Sequence, residues 1–417
     1  MNKSLTIFYP SPGVGGSQLA FARMGRELSK RHGWDITLVD LPDGFVGRQM
    51  RESGVPFRFV EYVPGGKPID VGETTLLLSF SGLPHDLACL SAAPTTRVLL
   101  WSLHAQGALS FLRFGFLYRR LRAPRRETLA RLLEPGRWGR TRQLLAEMEK
   151  LGSLVYMDKT NSDYPPSVGF GPTHTQFLPI PVEHKAAHPR TWTETRSLGW
   201  VGRLVHDKAH TIEAFIALCS RHATQYGITF DFHVVGDGPA LERLKNFTSP
   251  GVVKHFPGVL RGDRLDSYLC DHIKVGFAMG TSLLEFAMLG IPVLVGDYSN
   301  ERFPIEKLPL RWLVPNDGFA LGEIIGERPR AASVTFFEIT EHCTDEQSNF
   351  ARGAECRAYA VAHHDAASVA DLLDRLLRGA RFSFETARLS AGGGEPALGP
   401  RLKAGLERLM PRKMKSS

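Results

Sequence analysis

The stretch LTIFYPSPGVGGSQLAFARMGRELSKRHGWDITLVD (5–40) decides the fold class. LTIFY (5–9) and ITLVD (36–40) are short aliphatic runs of strand length. Between them Phe21, Met24 and Leu28 recur at i, i+3 and i+7, the period of one helical face, and Gly33 supplies the stop. Strand, helix, strand in that order predicts a parallel, doubly wound sheet.

Working outward, TTLLLSF (74–80) and TRVLLW (96–101) continue the first series. A proline- and histidine-rich stretch, FLPIPVEHKAAHPRTW (177–192), interrupts it. A second series follows: SLGWVG (197–202), FDFHVVG (230–236), VVKHF (252–256), IKVGFAM (273–279) and IPVLVG (291–296). Ile212, Phe215, Ile216 and Cys219 mark one face of a helix within it. The expectation is an α/β protein of two doubly wound Rossmann-like domains facing a central cleft. The first spans 1–182, the linker 183–195 and the second 196–380, with a loosely ordered tail at 381–417. Ligands of such folds bind at the carboxyl ends of the strands, so chemistry is sought there.

A chain of 417 residues with 43% hydrophobic and 23% charged residues is globular, which excludes fibrous and disordered classes. No run reaches the roughly 18 apolar residues of a membrane span. Five mostly apolar residues precede Pro10, too few for a secretory leader, so a cytoplasmic protein is expected. The five cysteines form no CxxC pair and read as free thiols. His184 and His188 stand four apart beside Glu183, but in a proline-flanked stretch, and no metal site is assigned.

Net charge is +8, and its distribution is uneven. Residues 113–142 hold ten Arg, no Lys and two Glu, which equals the whole excess; the rest of the chain is neutral. Phe114, Phe116, Leu117, Tyr118 and Trp138 interleave with those arginines. That mixture suits an anionic membrane surface or a phosphate-bearing lipid, and equally a solvated amphipathic helix. Nucleic acid is not expected as a partner, because no nucleic-acid fold accompanies the arginines.

Four motifs sit where strands end. SPGVGGSQ (11–18) brings Gly13, Gly15 and Gly16 to a helix start, where backbone amides can meet an anion. A dinucleotide fingerprint would need glycine at Gln18, although Asp40 ends the second strand as a ribose-binding acid would. In VGRLVHDK, Arg203 and Lys208 are two cations past a strand end, suited to a diphosphate or simply solvated. VVGDGP (234–239) is a strand-to-helix turn carrying Asp237 and Gly238. In AMGTSLLEFAMLG (278–290), Gly280, Thr281 and Ser282 open a helix. Glu285 either closes a capping box with Ser282 or reaches a ligand hydroxyl. His104 follows the fourth strand of the first half, a position that fits either packing or chemistry.

Together GVGGSQLAFARMGRELSKRHGWDITLVD, LGWVGRLVHDKAHTIEAF, FHVVGDGPALERL and GTSLLEFAMLGIPVLVGD resemble family 4 (group 1) glycosyltransferases of the two-domain GT-B type. The resemblance implies a retaining transfer of sugar from a nucleoside diphosphate sugar to a glycan or lipid-linked acceptor, as in bacterial envelope biosynthesis. It implies no metal and no cofactor beyond the sugar donor. By the same resemblance, Gly15 and Gly16 offer amides to the donor diphosphate, and Arg203 and Lys208 stabilise the leaving phosphates. Glu285 binds ribose, the backbone near Val259 and Leu260 meets the base, and His104 lies near the transferred sugar. It also places the enzyme at the inner face of the membrane, held there by 113–142. The family pattern has a second glutamate eight residues before Glu285, where this chain has Phe277. Two rivals remain open: an NAD-dependent oxidoreductase using the glycine turn, and a non-catalytic scaffold on the same fold.

Overall fold

The computed structural model describes residues 3–390, apart from 120, 122, 172–173, 187, 189, 191, 300 and 326–332. The chain divides into two compact units. One comprises residues 1–181 together with the segment after 366, and the other is Val182–Asp365.

The first unit is built on a parallel sheet in the order β3-β2-β1-β5-β7-β8. Its strands are β1 (Ser4–Phe8), β2 (Asp35–Asp40), β3 (Arg58–Glu61), β5 (Thr75–Ser79), β7 (Arg97–Ser102) and β8 (Leu154–Tyr156). A two-residue ladder joins β4 (Ile69–Asp70) to β6 (Leu90–Ser91). Helix α1 (Gly16–His32) forms where the apolar spacing places it, burying Phe21, Met24 and Leu28 on the sheet. Gly33 ends it at φ 63°, a left-handed turn that only glycine adopts without strain.

The first unit recruits the end of the described chain. Helix α8 (Ala366–Gly379) lays Val369, Leu373 and Leu377 into the cluster that holds Phe21 and Leu28. The indole N–H of Trp34 donates to Asp374 at 2.8 Å. Helix α9 (Phe384–Ser390) follows, with Phe382, Phe384 and Ala387 buried in the opposite core layer. Residues 366–380, placed with the second domain on sequence grounds, therefore belong to the first unit. Residues 381–390 are built into its core; the remainder of the expected loose tail lies outside the described residues.

The basic segment folds as helices α2 (Ala123–Leu133) and α3 (Pro135–Lys150) after a short turn. Two of its aromatic side chains turn inward. Tyr118 is buried and donates to Glu134, and Trp138 donates to the Val168 carbonyl at 2.9 Å. Arg126 is fully buried, donating to the carbonyls of Tyr118 and Leu121 and to Ser167. Tyr118 is thus taken up by the core, while Phe114, Phe116 and Trp138 are half-buried. Outward face Arg113, Arg119, Arg125, Arg131, Arg140 and Arg142, with Leu132 at 71% and Leu133 at 56% exposure.

The second unit carries a parallel sheet in the order β11-β10-β9-β12-β13. Its strands are β9 (Ser197–Val201), β10 (Phe230–Val235), β11 (Val252–Gly258), β12 (Val275–Ala278) and β13 (Val293–Val295). Helix α4 (His206–Tyr226) buries Ile212, Phe215, Ile216 and Cys219, as their spacing predicts. Helix α5 (Asp263–His272) precedes β12, and α6 (Thr281–Met288) follows it. Helix α7 (Glu346–His364) closes the unit. The order of strands reverses between β9 and β12, and a ligand crevice opens at such a reversal, beyond the strands' carboxyl ends.

Candidate active site

Beyond β9 the chain turns at Gly202, passes Arg203 and Leu204, and enters α4. Gly236 and Gly238 of the neighbouring loop make this turn possible. A methyl on Gly236 would stand 2.1 Å from the Gly202 carbonyl oxygen, and one on Gly238 would stand 2.5 Å from that of Leu204. Both glycines hold positive φ, 141° and 150°. Leu204 N–H donates to the Asp237 carbonyl and Ala240 N–H to that of Leu204, each at 2.9 Å. The loop carrying Arg203 is thus stitched to the loop after β10. Asp237 is exposed, and its carboxylate accepts from Gly238 N–H at 2.7 Å. Asp237 and Gly238 hold the turn, and the exposed Asp237 carboxylate lies at its surface.

Lys208 lies in the first turn of α4, half-buried, with Arg203 exposed nearby. Burial lowers the Lys208 ammonium's pKa, Asp207 opposes the shift, and Arg203 adds to it. On the other side of the reversal, only Met279 and Gly280 separate β12 from α6. Gly280 sits at φ 60° and brings no capping side chain, so the capping box of Ser282 with Glu285 does not form. The Thr281 hydroxyl is buried with no hydrogen-bond partner among the described residues. The first-turn amides of α6, Thr281, Ser282 and Lys208 therefore bring donors to one end of the sheet. An anion is the chemical complement of such a set.

Glu285 is held by a group that the sequence did not signal. Lys185 Nζ pairs with it at 2.5 Å and also with Asp266 of α5. All three side chains are 13–15% exposed. Burial pushes the Lys185 amine down, but Glu285 and Asp266 outweigh it and leave its pKa raised. Arg357 of α7 donates to the Lys185 carbonyl at 2.8 Å, which anchors the backbone there. One hundred residues separate Lys185 from Glu285, so no local spacing could have revealed the pair. Val259, just past β11, is 56% exposed and offers an apolar surface, with Leu260 beside it.

In the first unit, Gly15 caps α1 without a side chain, in extended backbone at φ −167°. The helix's first-turn amides consequently face no side-chain acceptor from the cap. His104 is exposed beyond β7, and its Nδ1 accepts from Gln106 N–H at 3.1 Å. That contact places the neutral ring's proton on Nε2, making it a donor.

No family model matches the sequence, and no curated protein does. Solved structures do. The lipopolysaccharide outer core galactosyltransferase WaaB, in its apo form, is 9% identical over 90% of this chain and 99% of its own, with a TM-score of 0.50. A glycosyltransferase from Rickettsia africae ESF-5 is 9% identical over 94% of this chain and 99% of its own, with a TM-score of 0.51. The chain has the GT-B fold.

Within this GT-B chain, two features bear on the rival readings. Asp40, the candidate ribose acid of a dehydrogenase, is fully buried. It accepts from the amides of Ser11, Leu41 and Gly47 at 3.1, 2.8 and 3.0 Å. Burial raises its pKa and those amides oppose the shift. Its carboxylate is consumed in holding the loop after β2. Phe277, the feature that encouraged a scaffold reading, is also internal, stacked on Phe215 at 4.1 Å and 17°. It is a core residue of the GT-B second unit, on the face of β12 covered by α4. Among the described residues no three His, Cys, Asp or Glu side chains gather as a metal site would need.

Proposed function

We propose that this protein is a retaining glycosyltransferase that moves a sugar from a nucleoside diphosphate sugar to a glycan or lipid-linked acceptor of bacterial envelope biosynthesis. The observation that carries the reading is the convergence at the β9/β12 reversal of Lys208, Ser282 and Thr281, the last with a buried hydroxyl that has no acceptor among the described residues. As the bond from sugar to phosphate breaks, positive charge grows on the sugar and negative charge on the departing diphosphate. Lys208, Arg203 and the α6 amides would meet that negative charge, and fixed donors of this kind lower the barrier without moving a proton. Half-burial strengthens Lys208 in this role, because less water screens it. Glu285, oriented by Lys185, would accept from ribose hydroxyls, and Val259 with Leu260 would cover the base. By the family resemblance, Gly15 and Gly16 would offer backbone amides to the donor diphosphate, and His104 would lie near the transferred sugar. The fold likeness supports a sugar transfer, and the name of the lipopolysaccharide enzyme agrees with an envelope acceptor.

The test is a thermal-melt panel of UDP, GDP, ADP, CMP and NAD. A ligand at 100 times its dissociation constant stabilises the folded state by about 2.7 kcal/mol. One nucleoside diphosphate should raise the midpoint, and the Arg203→Ala, Lys208→Ala double variant should lose the rise. A rise with NAD alone, or none with any nucleotide, would sink the proposal.

A further inference from the structure

The donor set at the β9/β12 reversal has a member that none of the motifs disclosed. Trp200 lies on β9 with its side chain 0% exposed. Its ring is held between Phe277, 5.7 Å away, and the backbone at Gly296, where a methyl would come within 3.3 Å of the ring. The indole N–H has no hydrogen-bond partner among the described residues. Leaving such a donor unmet costs about 1–3 kcal/mol, so a site that keeps one is built for an acceptor that arrives from outside.

The position of that acceptor can be read from Gly202. A methyl on Gly202 would stand 3.4 Å from Ser282 Oγ, 3.7 Å from Trp200 Nε1 and 4.0 Å from Lys208 Nζ. Three side-chain donors, a hydroxyl, an indole and an ammonium, thus surround one small space over a residue with no side chain. Thr281 Oγ1, buried and equally unmet, stands next to Ser282 in the chain. Carboxylates are absent from the three groups nearest that space. The chemistry that fits is an oxygen anion.

We propose that the Trp200 indole N–H donates to a diphosphate oxygen seated over Gly202, together with Ser282 Oγ and Lys208 Nζ. The inference rests on the diphosphate reading of this end of the sheet and adds to it a neutral, rigid donor. An ammonium on a flexible stem attracts an anion from many directions. An indole wedged between Phe277 and Gly296 donates to it along one. Trp200 would therefore fix where the oxygen sits, while Lys208 supplies the charge.

The experiment uses the full chain labelled with nitrogen-15 at its six tryptophan indoles, resonances assigned through-bond. Pyrophosphate is titrated first, then the nucleoside diphosphate found in the melt panel, with affinities measured in parallel by calorimetry. The expected result is a downfield shift of the Trp200 indole proton that saturates with the calorimetric affinity and vanishes in Lys208→Ala. Trp200→Phe should weaken diphosphate binding about 10- to 100-fold, the range for a hydrogen bond to a charged group. The labelled wild-type chain decides the matter even where Trp200→Phe folds poorly. If diphosphate binds, weakens in Lys208→Ala and leaves the Trp200 resonance in place, the indole assignment is overturned while the anion site stands. If neither pyrophosphate nor any nucleoside diphosphate binds the wild type, the anion site itself is wrong and the indole assignment falls with it.

Discussion

At the scale of single residues, the second unit depends on one ammonium between two carboxylates. Lys185 meets Glu285 and Asp266 in a setting almost closed to water. Its raised pKa means that the stabilisation is present at neutral pH and is lost only as the pH climbs past the folded-state value. Lys185→Met leaves two neighbouring carboxylates without their cation, and breaking a buried pair in this way costs roughly 3–5 kcal/mol. The loss should be largest at pH 7 and shrink at strongly alkaline pH, where the wild-type Lys185 ammonium gives up its proton. Denaturant unfolding of the variant in both conditions checks this, and an identical loss in each would show that the ion pair is not the cause. The residue scale was also where the sequence was least legible. Arg203, Lys208 and Ser282 could be singled out because they sit beside glycine turns at strand ends. Trp200 stands inside the expected strand SLGWVG and Lys185 inside the linker, and nothing in their own neighbourhoods marks the partners that folding brings to them.

Elements were easier to read, and the failures follow from length. Strands of five to seven residues announce themselves as apolar runs. In the first sheet the two strands not foreseen, β3 with four residues and β8 with three, lie at its edges, and the two-residue strands β4 and β6 were not foreseen either. β12 and β13 are as short but legible, because they sit inside the longer apolar runs IKVGFAM and IPVLVG. Helix α8 shows a different limit: its stripe of Val369, Leu373 and Leu377 declares a buried face but not the sheet that covers it. Within the site, the element that matters is the turn between β9 and α4, held by glycines one loop away. Gly238→Ala should drive a methyl into the Leu204 carbonyl and cost about 2–4 kcal/mol, from overpacking plus left-handed backbone strain. Gly227→Ala is the matched control. It also sits at positive φ, 64°, at the end of α4, but no atom lies within 4 Å of the added methyl, so about 1 kcal/mol is expected. Nucleoside diphosphate affinity should fall in the first variant and hold in the second. Equal stability losses with unchanged affinity in both would mean that this glycine does not support the Arg203 turn.

Across the whole molecule, charge is the quantity that structure reinterprets. The thirty residues from Arg113 to Arg142 carry a balance equal to the net charge of +8, with the rest neutral. Folding spends Arg126 inside the protein and turns Tyr118 and Trp138 inward, so any membrane attraction falls to the exposed arginines and to Leu132 and Leu133. No helix among the described residues is long and apolar enough to cross a bilayer. An arginine near an anionic surface contributes about 1 kcal/mol, and two leucines with partial insertion add roughly 2 kcal/mol. On these magnitudes we expect binding to phosphatidylglycerol vesicles that is mainly electrostatic and weakens steeply with salt. In cosedimentation at 0.1 M salt (roughly one Debye length of 10 Å), replacing Arg125, Arg131, Arg140 and Arg142 with Gln should lower binding at least tenfold. Leu132→Ser with Leu133→Ser should cost less and leave the salt dependence intact. The reverse ranking would make insertion the main force. Unchanged sedimentation of the arginine variant would return the segment to a solvated helical face.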